Sequence, residues 1–199
     1  MSETKKPIYR LVLHPQDANF VPESIGLIRE VLLDAGFIAK DSVNKAAPEQ
    51  DGERFPVGEQ FLQLLTFMGC SPNINLSPQH EGDQDFCHIK LSAPTGVPRF
   101  RRHDGNIFAR CPECGRRDPD WAVHIERWET DKSANQYHCP HCAKDMSLYD
   151  LRWRQQAGFA RFFIDVFSIF PQEGIPTENL LGRLQKACEQ PWIYFFTNN

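Results

Sequence analysis

Two matched cysteine pairs, Cys111-Pro112-Glu113-Cys114 and Cys139-Pro140-His141-Cys142, decide how the middle of this chain folds. Two residues separate the thiols within each pair, a spacing at which four thiolates close a tetrahedral shell around one zinc ion. Such a site anchors the fold of the segment around it. Because sulfur fills all four positions, no position is open for water or substrate, which argues against catalysis by the metal. The sequence therefore predicts one structural Zn²⁺ held by Cys111, Cys114, Cys139 and Cys142.

The residues beside the cysteines support a pair of tight turns. Proline after the first cysteine of each pair fixes one backbone angle, and amides beyond that cysteine then point at its sulfur and stabilise the thiolate. Gly115 follows the first pair and supplies the left-handed conformation that such a turn needs. Ala143 occupies the equivalent place after the second pair. We expect it to cost about 1 kcal/mol if the same turn forms.

With these four ligand positions, residues 107–146 resemble a zinc ribbon, a small β module with two cysteine knuckles. The resemblance covers about 40 of the 199 residues. It implies a structural metal but no single role, because zinc ribbons serve in nucleic-acid machinery, in protein contacts and as structural clips. Three alternatives stay open: an iron–sulfur cluster or another metal, a redox dithiol, and replacement of one cysteine by His138 or His141.

Composition limits the class of protein. Hydrophobic residues make up 41% of the chain and charged residues 24%, as in soluble globular proteins. The first six residues are polar and do not resemble a signal peptide. The most apolar run, 159–170, includes an arginine and an aspartate and is too short to span a bilayer. Seven cysteines, with Cys70, Cys87 and Cys188 unpaired in sequence, do not fit a disulfide framework. We expect a reducing, cytoplasmic location without membrane contact.

Hydrophobic periodicity and punctuation predict the elements around the cysteine motif. Serine and threonine before apolar stripes with helical spacing favour helices that begin near Ile25 and Thr177. Ser147 and Asp150 fit a capping box that opens a short helix. The predicted helices span 25–35, 57–68, 147–156 and 177–188, and the predicted strands span 8–13, 86–91, 121–126, 159–170 and 192–196.

These elements predict an α+β fold. Each half of the chain reads strand, helix, strand, which suggests a split β-α-β sandwich similar to ferredoxin-like folds. Prolines and a glycine at 94–98 mark a boundary. We therefore expect residues 1–98 and 147–199 to form one α+β domain, with the zinc ribbon inserted at 99–146.

Charge is distributed unevenly, which bears on the partner. The net charge is −4, yet residues 99–117 carry six arginines against Asp104 and Glu113. An acidic chain does not coat nucleic acid nonspecifically, so we expect a protein partner first. Nucleic-acid binding through the basic stretch is the alternative. Its candidate residues are Arg99, Arg101, Arg102, Arg116 and Arg117.

A small enzyme is the remaining alternative, since the chain has no complete catalytic constellation. One candidate site combines His14, Asp17 and Glu173, in loops expected at the carboxyl ends of neighbouring strands. The other is the dense donor cluster between His80 and His88, which also contains Glu81, Asp83 and Asp85. The sequence favours a non-catalytic binding protein over either.

Overall fold

A computed structural model describes residues 8–40, 52–67, 74–78, 86–171 and 173–198. Within these residues the chain has the predicted α+β fold. None of the helices in the described ranges has the length and apolar character needed to cross a membrane. In chain order the elements are β1 (Arg10–Pro15), α1 (Ile25–Asp34), β2 (Gly52–Pro56), β3 (Leu65–Phe67), β4 (His88–Ser92), β5 (Arg99–Arg102), β6 (Ala109–Arg110), β7 (Arg117–Asp118), α2 (Trp121–Thr130), β8 (Gln136–His138), β9 (Asp145–Ser147), β10 (Ala157–Ala160), β11 (Ile164–Phe167), β12 (Gly174–Pro176), α3 (Glu178–Cys188) and β13 (Trp192–Thr197).

A five-stranded antiparallel sheet, ordered β13-β1-β11-β4-β2, forms the framework. Helix α1 follows β1 and precedes β4 in the chain, and α3 lies between β11 and β13. Without the edge strand β2, this is the strand order of a split β-α-β arrangement, as predicted. The hydroxyls of Ser24 and Thr177 accept hydrogen bonds from the first turns of α1 and α3, at Leu27 N and Leu180 N. Both helices therefore begin where their caps predict.

Both helices cover the same face of the sheet and enclose the first hydrophobic core. Leu11 and Leu13 of β1 alternate with residues of the opposite face, while α1 and α3 contribute one apolar stripe each. Full burial of each such side chain stabilises the fold by about 1.5–3 kcal/mol. The helix residues that are completely buried in this core are Ile28, Leu32, Leu180 and Leu184.

A two-stranded sheet of β5 and β10 contacts β13 and β1, and Ala160 of β10 clusters with Val12 and Phe195 on the face of the framework opposite α1 and α3. Arg101 of β5 forms a two-pronged ion pair with Asp165 of β11, with N–O distances of 3.0 and 2.5 Å. The Asp165 side chain is only 5% exposed. Burial of a paired charge depends on its partner, so this pair fixes β5 against the sheet.

The second hydrophobic core surrounds the cysteine motif. Trp128 of α2 packs edge-on against Phe159 of β10, with ring centroids 5.1 Å apart. Tyr137 and two of the four cysteines are buried in the same cluster. Since this core reaches Phe159, it joins residues 99–146 to the segment that follows them.

Four predictions of local structure were wrong. Residues 121–126 belong to helix α2, where Ile125 and Trp128 share the buried side three residues apart. Residues 57–68 form no α-helix in their described part: a 3-10 turn at Phe61–Gln63 leads into β3, which pairs with β12. A run of six residues that alternate in polarity, or one short apolar stripe, is compatible with both the helical and the strand period. The sequence does not separate the two while the strand partners are unknown.

The other two errors concern the segment after the cysteine motif. The capping box at Ser147 and Asp150 is present, but it opens only a 3-10 turn over Leu148–Asp150. Residues 159–170 form two strands in different sheets, β10 and β11, not one. Between these two strands the chain leaves the β10 pairing at Arg161, whose Nε donates to Thr95 O at 2.6 Å.

Candidate metal centre and adjoining cleft

Four cysteine sulfurs converge on one point. The Sγ atoms of Cys111, Cys114, Cys139 and Cys142 all lie within 4.8 Å of one another. The Cys111–Cys142 and Cys114–Cys139 sulfur distances are both 3.8 Å. A tetrahedron with Zn–S bonds of about 2.3 Å has edges of about 3.8 Å. The donor set and spacing therefore fit one tetrahedral metal ion with thiolate ligands.

The two knuckles have the same backbone structure. Gly115 N donates to Cys111 O at 2.9 Å, and Ala143 N donates to Cys139 O at 3.0 Å. The φ angles of Gly115 and Ala143 are 70° and 54°, so both residues adopt the left-handed conformation. Ala143 thus meets the condition stated for the second knuckle: the same turn forms, and Ala143 carries the cost of its conformation.

Backbone amides prepare one sulfur for ionisation. Burial by itself raises the pKa of Cys139, but the backbone N–H groups of Cys142 and His141 donate to its sulfur and lower the pKa to about 6. Hydrogen bonds to a charged group favour the charged form. The knuckle thus presents a thiolate-stabilising pocket, as its proline-containing turn predicts.

The neighbouring histidines are engaged elsewhere. His138 Nδ1 lies 2.8 Å from Asp145 Oδ1, and His141 Nε2 lies 3.2 Å from Arg117 O. The candidate ligand cluster contains four cysteines and neither histidine. This arrangement favours the all-cysteine ligand set over replacement by His138 or His141.

We call the segment from β6 to β9, which carries the four cysteines, the metal module. A cleft of about 900 Å³ separates it from the end of the five-stranded sheet. Pro112 and Glu113 of the first knuckle line one wall, and residues 192–194 of β13 line the other. The loop from Tyr149 to Gln155 forms its floor and brings Arg152 and Arg154 into the cleft. Ligand sites commonly have volumes of about 300–1,000 Å³ and lie where structural units meet.

His14 is buried at this cleft. Its Nδ1 donates to Pro15 O at 2.8 Å, and its ring packs on Gly158, where a Cβ would overlap the ring. Desolvation lowers the pKa of His14 to about 4. The imidazole is therefore neutral at pH 7, with Nε2 as an acceptor.

The predicted site of His14, Asp17 and Glu173 does not form. Strands β1 and β11 are antiparallel, with Arg10 opposite Phe167 and Leu13 opposite Ile164. The carboxyl ends of these neighbouring strands therefore lie at opposite ends of the sheet. Glu173 follows the carboxyl end of β11, whereas His14 lies near the carboxyl end of β1. Asp17 lines a smaller cavity of about 410 Å³ beside the cleft.

The donor cluster at 80–88 lies mostly outside the described residues, as does Cys70. Its described member, His88, is buried and stacks on Phe167 with ring centroids 4.2 Å apart. Cys87 points into the first core on the other face of β4, and burial raises its pKa to about 12. An unionised, buried thiol is a hydrophobic packing group, not a nucleophile.

The arginines of the predicted basic stretch divide into two groups. Arg101 is committed to Asp165, and Arg99 donates to Ser92 Oγ at 3.3 Å. Arg102 lies in the same strand, 3.9 Å from Asp104. Arg116 and Arg117 are exposed beside the first knuckle. The structure also brings Arg152 and Arg154 to the knuckle side, which the sequence did not indicate because 34 residues lie between Arg117 and Arg152.

Comparisons with protein-family models, curated proteins and solved structures find no match to this chain.

Proposed function

We propose that this protein binds one Zn²⁺ as a structural ion and acts as a non-catalytic binding protein. The observation that carries the proposal is the convergence of four cysteine sulfurs, with two separations equal to the edge of a zinc–thiolate tetrahedron. A shell of four thiolates holds the ion without an open coordination position. The ion therefore serves folding and not chemistry.

In this proposal residues 107–146 are a zinc ribbon, inserted as 99–146 between residues 1–98 and 147–199. The second hydrophobic core supports a module that packs around the knuckles and is fastened to the flanking chain, because it includes Ile125 and Trp128 together with Leu148 and Phe159. The thiolate site and the free thiols of Cys87 and Cys188 support a reducing cytoplasm as its location.

The binding surface in this proposal is the cleft beside the metal module. One wall belongs to the first knuckle and the other to β13, so the zinc ion determines the shape of the site without touching its occupant. Loss of zinc should therefore abolish binding as well as local structure. We expect a macromolecular partner because the cleft continues into the smaller cavity lined by Gln16 and Tyr149.

Metal analysis of the purified protein tests the proposal. The wild-type chain should contain about one zinc ion, and the Cys111→Ser variant should contain less than about a tenth of that amount. Cys188→Ser is the matched control, since Cys188 lies on α3 outside the cluster, and it should retain the zinc. Zinc retained by Cys111→Ser, or iron bound in its place, would contradict the proposal.

A further inference from the structure

An arginine row crosses three neighbouring backbone segments beside the metal centre. Arg117 of β7 lies directly opposite Arg110 of β6. On its other side, Arg110 forms an antiparallel bridge with Arg152, through backbone hydrogen bonds of 2.9 Å in both directions. Residues directly opposite one another in antiparallel pairs project on the same side. We call Arg117, Arg110 and Arg152 the arginine row.

Like charges opposite one another destabilise a sheet. Arg110 Nη1 donates to Gly115 O at 2.8 Å, and the Arg117 guanidinium lies 4.0 Å from the centroid of the Phe108 ring, but neither contact supplies negative charge. Arg154 adds a fourth positive charge, because it follows Arg152 by two residues and lines the same cleft. Across the part of the chain that the structure describes, no carboxylate lies within 4.0 Å of these four guanidinium groups. A bound anion would supply the missing negative charge.

The turn that presents Arg154 has a strained backbone. Arg154 and Gln155 have φ angles of 48° and 62°, a conformation for which turns normally use glycine or asparagine. The turn is held against β13, where Phe196 N donates to Gln155 O at 3.0 Å and Gln155 Nε2 donates to Tyr194 Oη at 2.8 Å. Strain of this kind persists where surrounding structure fixes it, and it is concentrated at functional sites.

The row reaches the cleft that carries the proposed function at Arg152. Arg152 and Arg154 line it, together with the partly buried rings of Tyr149 and Tyr194. Of the acids in the cleft, Asp145 is engaged by His138, and Asp150 accepts the backbone N–H of Ser147. One uncommitted carboxylate in the cleft, that of Glu113, therefore faces three cationic side chains, those of Lys144, Arg152 and Arg154.

Resting on this cleft as the proposed binding site, we propose that the arginine row and Arg154 bind the phosphate backbone of single-stranded nucleic acid. Guanidinium groups match phosphate oxygens with two parallel hydrogen bonds. Successive strands place the row's members about 5 Å apart, so the row engages a chain of phosphates better than one small anion. The tyrosines of the cleft offer stacking surfaces for bases. The acidic net charge confines the contact to this surface.

The test is fluorescence anisotropy with a short fluorescein-labelled oligouridylate and the zinc-loaded chain. Arg152→Gln/Arg154→Gln should weaken binding about tenfold or more. It should also reduce the slope of log K against log salt by about 1.4, or about 0.7 for each lost phosphate contact. Arg29→Gln/Arg183→Gln is the matched control: it removes the same charge from exposed positions on α1 and α3 and should leave both quantities unchanged.

The possible outcomes separate this inference from the proposed function. A folded chain with one zinc ion that does not bind the oligonucleotide overturns the inference and leaves the zinc proposal standing. Equal loss in the control double variant, or equal affinity for polyglutamate or polyphosphate, also overturns it. Arginine-dependent binding by a chain without zinc would support the inference and contradict the proposed role of the metal.

Discussion

The five-stranded sheet and the metal module solve the same problem by different means. The sheet buries a continuous apolar face under α1 and α3, so its stability is distributed over many side chains. The metal module has strands of only two or three residues, β6 to β9, and two knuckles closed by four sulfurs. A short segment with little apolar surface needs such a clip, because its own core cannot offset the entropy of ordering it.

Removing the metal should separate the two regions most strongly. Structural zinc contributes about 10–16 kcal/mol to the folding of isolated zinc modules. After chelation we expect the amides of α2 and β6 to β9 to lose hydrogen-exchange protection, while those of β1 and β11 keep theirs. Hydrogen exchange followed by mass spectrometry measures this by segment. Uniform loss of protection, or none, would show that the comparison is wrong.

A core substitution should have the converse effect. Leu184→Ala removes a completely buried side chain of α3, and we expect the free energy of unfolding to fall by about 2–5 kcal/mol. Zinc content of the folded protein should not change. Ile193→Ala is the control, because that side chain is 40% exposed and should cost less than about 1 kcal/mol. Chemical denaturation gives both values, and equal losses would contradict the assigned core.

Acid should destabilise the first region at His14, a buried residue of β1. Folding lowers the pKa of His14 from 6.5 to about 4, so the unfolded chain binds more protons between these values. Stability therefore falls as pH decreases from about 6.5 to 4, by up to about 3 kcal/mol from this group. The His14→Gln variant should lack this part of the pH dependence in denaturation curves. Burial also lowers the pKa of His88. Its contribution is the same in the wild-type chain and in the His14→Gln variant, so it cancels in the difference between them.

The smallest expected effect compares the two knuckles with each other. Ala143→Gly should stabilise the metal module by about 1 kcal/mol, because glycine adopts the left-handed conformation without a steric penalty. Gly115→Ala should cost about the same, since no atom lies within 4 Å of the added methyl group and only the backbone conformation is penalised. Competition with a zinc chelator measures both. Changes of the same sign in the two variants would exclude equivalent knuckles.

The same contrast explains how far the sequence could predict the structure. Helices α1 and α3 were predictable because the capping residue and the apolar stripe agree at each. Helix α2 was not, because its short alternating pattern suits a strand until the packing of Trp128 against Phe159 is known. Likewise, 159–170 is uniformly apolar, and only pairing with two different sheets divides it. Tertiary context decides such segments.

For the candidate site, local spacing was enough for the four cysteines and not for the cleft. The knuckles carry their geometry in a few adjacent residues, so the sulfur cluster follows from the motif. The partners of the arginines do not. Arg101 turned out to be paired with Asp165, and Arg152 joined Arg110 through a bridge between distant segments. Charge clusters in sequence reveal sign, whereas function depends on which charges are already neutralised.

Zinc K-edge X-ray absorption of the purified protein tests the central claim most directly. A structural site of four thiolates predicts a single shell of four sulfurs at about 2.3 Å. A nitrogen or oxygen ligand at about 2.0–2.2 Å would contradict the closed all-cysteine site, and with it the conclusion that the metal organises the fold without taking part in chemistry.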